Sequence, residues 1–279
     1  MTAAVLLILK LGVAALIFAT GLYATLKDLS YLWRRPVLCL KSLLAMYFVV
    51  PLLAFLAIRY LDLPRPVDIA LFVLAVSAGA ALLPRKLISL GNPEYVFSLV
   101  VTSSLLAIVM APAWLHLIHS YVDNPPELMP GEAAVAIGRL FLLPLVMGML
   151  IRWIVGPKVE SAARLMMKAV GAVFALAALL LLLTNLALVA KVGWIGFLSL
   201  AVFSLVSLAV GHALGGPQDA DRTALAIACS TRHVGLAIVI ASAAPTPTTT
   251  AFVITYLLAS AAVSLPYLKL RSNAPPSEG

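Results

Sequence analysis

The chain has 279 residues, of which 63% are hydrophobic and 11% are charged, and its formal net charge is +8. Its mean hydropathy is +1.10, which excludes a soluble globular domain and predicts a polytopic helical membrane protein. The basic residues fall in short segments between apolar runs, as membrane topology requires, and this argues against a nucleic-acid partner. Both cysteines lie inside apolar runs, so they predict neither a disulfide framework nor a metal site.

Apolar runs of about 20 residues recur along the chain and predict nine transmembrane helices. We interpret residues 1–270 as one transmembrane domain and residues 271–279 as a short, polar, disordered tail. In chain order, the predicted spans are 2–25, 37–60, 66–88, 95–118, 133–155, 164–190, 192–214, 222–245 and 248–270.

The charges of the predicted loops indicate an orientation. With the N-terminus outside, twelve basic residues lie on the inner side and three lie on the outer side. Because cytoplasmic loops of multi-pass proteins carry an excess of lysine and arginine, we expect a multi-pass protein of the cell membrane with a cytoplasmic C-terminus. The outer side carries these acidic residues: Asp62, Asp68, Asp123, Glu127 and Glu132.

The third predicted span is interrupted near its inner end. Small residues occupy 77–81, and Pro84 follows, with Arg85 and Lys86 directly after it. A proline inside an apolar run frees backbone carbonyls and kinks or breaks the helix. The eighth span lies five spans later, so a five-span repeat would give the two spans opposite orientations. Interrupted helices at matching positions of two inverted halves indicate a transporter binding site.

The eighth predicted span has polar residues at its centre, where the sequence reads Cys229-Ser230-Thr231-Arg232-His233. A guanidinium near the centre of a spanning helix costs about 2.5 to 3.5 kcal/mol on insertion scales. Such a side chain needs a partner inside the protein. We therefore interpret residues 218–245 as the centre of a membrane transport site.

Three blocks of the sequence resemble the bile acid:sodium symporter family. The first is IFATGLYATLKDLSYLWRRPVLCLKSLLAMYFVVPLLAF, with a Gly-Leu pair, a loop aspartate, a basic-Pro pair and the mid-helix Pro51. The second is LISLGNPEYVFSLVVTSSLLAIVMAP, and the third and most specific is PQDADRTALAIACSTRHVGLAIVIA. The resemblance implies an all-α inverted-repeat transporter with core and panel domains. It also implies two helices that are broken where they cross, and alternating access at that crossing.

The chain departs from the sodium-coupled members of that family. At the positions where those members carry sodium-site or neighbouring polar side chains, this chain has Ala228, Arg232, His233, Leu82, Leu83 and Met46. Sodium prefers several hard oxygen ligands, and most of these side chains offer none. We therefore expect no sodium site and no other metal site. Of the polar site residues of those members, only a serine and a threonine of the fourth span are kept, at Ser98 and Thr102.

Cationic side chains occur in the same two segments that lose the cation ligands. We hypothesise that Arg232, and with it Arg85 or Lys86, replaces the bound cation at the broken helix ends. Arg85 and Lys86 have an alternative role, because side chains at the inner end of a span also extend to the interface.

Seven residues are candidates for binding the substrate: Arg232, His233, Ser230, Thr231, Ser98, Thr102 and Asn185. Each has a structural alternative. The arginine could be a counter-charge that locks the crossing, and the histidine could be a neutral side chain bonded to backbone rather than a proton carrier. The hydroxyls could bond carbonyls of their own helices, and the amide could bond a neighbouring helix.

These features predict a secondary transporter of a small, carboxylate-like organic anion, coupled to protons or to no ion. We expect no enzymatic activity and no cofactor, because the sequence has no phosphate-binding loop and no acidic neighbour of Arg232 within its span. Two alternatives stay open. One is a membrane receptor or sensor that has the transporter fold but does not transport, and the other is a sodium-coupled symporter with altered ion sites.

Overall fold

The structure is a computed structural model that describes residues 3–78, 92–118, 130–184, 186–233, 236–237, 240–241 and 247–273. Within these ranges every regular element is a helix. In chain order the helices are α1 (Ala3–Tyr23), α2 (Leu26–Trp33), α3 (Pro36–Tyr60), α4 (Arg65–Val76), α5 (Pro93–Ile118), α6 (130–155), α7 (Val159–Thr184), α8 (Leu186–Leu214), α9 (Asp219–Thr231) and α10 (Pro247–Ser272).

Four helical stretches are long and apolar enough to cross a membrane: Pro36–Tyr60, Pro93–Trp114, Gly138–Val173 and Val192–Leu214. A shorter apolar helix covers Leu11–Tyr23. The chain is therefore an α-helical multi-pass membrane protein, as its composition predicts. The count of nine spans and the inverted repeat stay predictions, since several predicted spans include residues outside the described ranges.

Some predicted boundaries are wrong. The predicted inner loop after the first span contains the helix α2, which begins with a capping box: the Thr25 N–H donates to Asp28, and the Asp28 N–H donates to the Thr25 hydroxyl. The predicted sixth span starts at 164, but α7 begins at Val159. The predicted sixth and seventh spans meet near 191, whereas α8 begins at Leu186 and is broken at Gly193, whose φ is 66°.

The third helix, α3, widens into a π-helical turn at Ala45–Val49. The N–H of Val50 donates to the carbonyl five residues earlier, and Pro51 has no N–H. The carbonyl of Met46 therefore has neither an i+4 nor an i+5 donor in its own helix. A second π-helical turn, Gly138–Leu142, lies in α6 and also precedes a proline, Pro144.

Eight of the ten described helices pack in two neighbouring groups, and the other two, α2 and α5, pack on each other. One group is α1 with α6 and α7, and the other consists of α3, α4, α8, α9 and α10. In the first group the backbones of Gly21 and Gly148 touch, and a Cβ on Gly148 would collide with α1 backbone. In the second group Gly211 of α8 lies equally close to the backbone of α9. The core includes almost all of α4, whose side chains from Ile69 to Val76 are buried.

Candidate functional site

The helix α4 ends at Val76, in the middle of the predicted third span. Ser77 leaves the helical region, with φ −82° and ψ 50°, and its hydroxyl donates to the carbonyl of Val73 at 2.6 Å. Pro84, the predicted cause of the interruption, lies outside the described residues. The last carbonyls of a helix lack intrahelical donors and carry partial negative charge, so this end attracts cations and donors.

The helix α9 ends at Thr231, in the middle of the predicted eighth span. Arg232 has φ 30° and ψ 166°, and among the described residues no other non-glycine residue has a positive φ. Holding a non-glycine residue in a sparsely populated backbone region costs about 1–3 kcal/mol. The predicted span 222–245 is thus interrupted at Arg232, the residue whose charge indicates the site in the sequence.

The side chain of Arg232 is 2% exposed and donates three hydrogen bonds to backbone carbonyls. Nε donates to Leu74 and Nη1 donates to Met46, both at 3.1 Å, and Nη2 donates to Ala75. Two of these acceptors are in the last turn of α4, and the third is the carbonyl that the π-helical turn of α3 leaves free. In the described part of the chain, no carboxylate forms a salt bridge with this guanidinium.

The C-terminal end of α9 lies beside the end of α4, since the His233 N–H donates to the Ser77 carbonyl, and we call the place where these two helix ends meet the crossing. The carbonyl of Ser230 accepts hydrogen bonds from Ser204 of α8 and from Tyr256 of α10. Two helix C-terminal ends, each with a partial negative charge, therefore meet close to one fixed guanidinium. A single positive charge at this point stabilises both ends.

His233 joins the two interrupted segments and is 3% exposed. Its backbone N–H donates to the carbonyl of Ser77 at 2.8 Å. Its Nδ1 accepts the N–H of Leu236 at 3.1 Å, so in the neutral ring the proton is on Nε2. The ring packs edge-on against Phe141 of the second π-helical turn, with 4.1 Å between centroids. Within the described ranges Nε2 has no hydrogen-bond partner, so its N–H is a buried, unpaired donor.

The hydroxyls of Ser230 and Thr231 both donate to the carbonyl of Ile227, at 3.3 Å and 2.8 Å. These bonds stay inside α9 and are the ordinary back-bonding of buried hydroxyls. Their oxygen lone pairs remain able to accept a hydrogen bond.

The remaining candidates are not gathered at the crossing by any described contact. The Ser98 hydroxyl accepts the N–H of Leu32 at 3.0 Å and so ties α5 to α2, and Thr102 is buried one turn further along α5. Arg85, Lys86 and Asn185 lie outside the described residues.

Sequence reasoning missed the acceptors of Arg232 and the aromatic neighbour of His233. The carbonyls belong to residues whose side chains carry no signal, although Pro51 marks the place where the α3 ladder opens. Phe141 lies in another span, and only tertiary packing brings it to the histidine. Among the described residues, no group of three or more His, Cys, Asp or Glu side chains is placed to hold a metal ion.

An ion pair lies at the start of α9, before the predicted eighth span begins. Asp221 is buried, and one of its oxygens is 3.8 Å from Arg35 Nη1. The same Nη1 donates to the Tyr31 hydroxyl at 2.5 Å and to Gln218 Oε1 at 3.3 Å. Burial raises the pKa of Asp221 to about 6, and the nearby Arg35 charge opposes that shift without cancelling it.

One comparison with known proteins identifies a family. A family model described as the sodium bile acid symporter family matches residues 10–195, which is 186 of the 279 residues. The match runs from α1 into α8 and includes the end of α4, and it stops before Arg232. No curated protein matches the chain.

Proposed function

Because the chain belongs to the sodium bile acid symporter family, we propose that it is a secondary transporter that carries a small organic anion by alternating access without sodium. The observation that carries the proposal is Arg232, whose guanidinium donates to three backbone carbonyls where two helix ends meet. The proposed setting is the cell membrane, with the N-terminus outside and the C-terminus in the cytoplasm.

The contacts of Arg232 support independence from sodium. A sodium ion needs several oxygen ligands, and the three carbonyls bonded by the guanidinium are ligands of that kind. A sodium ion close to them would also be repelled by the fixed charge of the arginine. The arginine thus supplies permanently the positive charge that a sodium ion would supply only while it is bound.

Two donors at the crossing support an anionic substrate. A guanidinium has five N–H groups, and Arg232 uses one on each of its three nitrogens. Its charge is buried, and a buried charge is costly unless it is paired. His233 Nε2–H is a second buried donor without a partner among the described residues. A carboxylate that accepts from both groups would supply the missing counter-charge and the missing acceptor.

Proton coupling would require a titratable group at the crossing, and His233 is such a group. In the proposed cycle the substrate anion binds at the crossing, and the helix group of α1, α6 and α7 moves relative to the other group. Ser230 and Thr231 offer oxygen lone pairs to the hydroxyls of a substrate. Ser98, Thr102 and Asn185 are proposed to line the path to the crossing, and Arg85 and Lys86 to act beside Arg232.

A thermal-shift screen of the purified protein tests the proposal. We expect a member of a panel of small carboxylates, such as acetate, pyruvate, succinate and glutamate, to raise the melting temperature equally with and without sodium, because a ligand of the native state stabilises it. His233→Phe should lose most of the shift. His116→Phe, at an exposed position, is the matched control and should keep the thermal shift. A shift that appears only with sodium would contradict the proposal.

Arg232 also suits the receptor alternative, because its bonds to α3 and α4 could hold the crossing in one state. Counterflow in proteoliposomes separates the two functions. The transporter exchanges a labelled carboxylate from the screen across the membrane, whereas a receptor binds it without any flux. Binding without counterflow would reject transport and leave the binding site intact.

A further inference from the structure

A groove of about 660 Å³ lies between the turn that joins α1 to α2 and the C-terminal half of α6. We call it the α2–α6 groove. None of its lining residues is a candidate for the substrate site. Its main lining residues are Lys27, Val146, Met149, Leu150, Arg152 and Trp153.

The floor of the groove is apolar and open to the outside of the protein. Val146 and Leu150 are exposed, and Trp153 is 78% exposed. In a multi-pass membrane protein such side chains face lipid, and an exposed tryptophan at the end of a span is typical of the membrane interface. The apolar part of the groove therefore suits acyl chains.

The rim of the groove is cationic. Lys27 is exposed, and the side chain of Arg152 is 13% exposed. Arg152 Nη2 is 2.6 Å from Glu160 Oε1, while Nη1 is buried and has no partner among the described residues. One half of this guanidinium is thus neutralised, and the other half offers a donor.

The neighbouring surface has the same sign of charge. Residues 23–28 and 149–168 contain five basic residues and two acidic ones, and the two acids are engaged, Asp28 with Thr25 and Glu160 with Arg152. A second cavity of about 460 Å³, next to the Arg152–Glu160 pair, is lined by two more of these basic residues, Arg164 and Lys168. The charge around the groove favours an anionic occupant.

We propose that the α2–α6 groove binds an anionic phospholipid, with the phosphate between the side chains of Lys27 and Arg152 and the upper acyl chain against Leu150 and Trp153. A basic pocket at the headgroup level beside an apolar surface is the arrangement that recognises an anionic lipid. A purely apolar groove would suit a neutral lipid or another helix equally well. The lipid would bridge α2, which packs on α5, and α6, which packs on α1.

Tryptophan quenching by brominated lipids tests this site in the full-length protein. The protein is placed in lipid nanodiscs that contain increasing fractions of dibrominated phosphatidylglycerol or dibrominated phosphatidylcholine. Trp153→Phe, measured in parallel, isolates the signal of Trp153. We expect the anionic lipid to quench Trp153 at a mole fraction several-fold lower than the zwitterionic lipid does.

Two charge variants decide whether the groove is responsible. Lys27→Gln should reduce the preference for the anionic lipid about fivefold, the effect of one basic residue at a membrane surface. Lys269→Gln removes the same charge from an exposed position of α10, outside the groove and its basic surroundings, and it should leave the preference unchanged. Equal quenching by the two lipids, or equal effects of the two variants, would overturn the proposal. Quenching by neither lipid would also overturn it and would indicate that protein covers the groove, as in a dimer.

Discussion

A buried arginine at a left-handed backbone position is costly in two ways. The charge has left water, and the backbone of Arg232 is held at a φ of 30°. Three charge-assisted hydrogen bonds to carbonyls offset part of that cost, because a bond to a charged group contributes about 1.5–3 kcal/mol. The side chain is therefore structural and functional at once, and substitutions must be chosen to separate the two roles.

Arg232→Met keeps much of the side-chain volume and removes the charge and all donors. We expect a loss of stability of about 3 kcal/mol, because carbonyls are left buried without donors, and a loss of the carboxylate-induced thermal shift. Arg232→Lys should restore part of the ligand shift, since one ammonium group can still bond some of the carbonyls. Arg59→Met, at an exposed position of α3, is the control. Wild-type stability with an intact ligand shift in Arg232→Met would contradict this role.

Asp221 predicts how stability depends on pH. Its pKa is raised by burial to about 6 in the folded protein and lies near 4 in the unfolded chain, so the folded state holds this proton more tightly. The contribution of Asp221 to the free energy of unfolding is therefore largest below pH 4 and is lost as the pH rises towards 6. Asp221→Asn should flatten the melting temperature between pH 4.5 and pH 6.5, measured in detergent. A melting temperature that rises across this range in the wild type, but not in Asp221→Asn, would contradict the raised pKa of Asp221.

At the scale of helices, the crossing arises from two helix ends and two widened turns. The end of α9 supplies Arg232 and His233, and the end of α4 supplies two acceptors. The π-helical turn at Ala45–Val49 supplies the third acceptor, and the turn at Gly138–Leu142 supplies Phe141. Each turn is followed by a proline, whose missing N–H favours a local opening of the ladder.

The contact between α1 and α6 gives a prediction at this scale. A Cβ at Gly148 would collide with the carbonyl of Phe18 and lie 2.9 Å from the nitrogen of Leu22, and both are backbone atoms. Gly148→Ala should therefore force the helices apart and cost about 1–3 kcal/mol of stability. Gly138→Ala lies in the same helix where a Cβ meets nothing within 4 Å, and it should be neutral or slightly stabilising. Equal melting temperatures for the two variants would contradict the close approach.

Part of this arrangement could be predicted from the sequence. Composition predicts the helical membrane class, and the cost of a buried guanidinium picks out Arg232, where α9 does end. The end of α4 at Ser77 was harder to predict, because the more obvious breaker was Pro84. Backbone acceptors such as those of Leu74 and Met46 have no side-chain signature, so only the tertiary structure identifies them.

At the scale of the whole molecule, the chain is a multi-pass member of the sodium bile acid symporter family in which the described crossing is held together by a side-chain charge. The family relationship accounts for the membrane fold and for a transport function. The expected departures from the sodium-coupled members include Met46 and Arg232, which the structure joins by a hydrogen bond. That pattern is what we expect if the transport machinery is retained and the source of the positive charge has changed.

The claim that Arg232 takes the place of a bound cation is tested most directly by carboxylate flux in proteoliposomes, with sodium replaced by choline on both sides. The substrate is the carboxylate that gives the largest thermal shift, and protein-free liposomes provide the background. If the guanidinium of Arg232 replaces the ion, no bound sodium contributes to the transport cycle. The initial rate should then stay within about twofold of its value in sodium, a difference of about 0.4 kcal/mol in the activation free energy. A fall in rate of tenfold or more on removal of sodium would contradict the account.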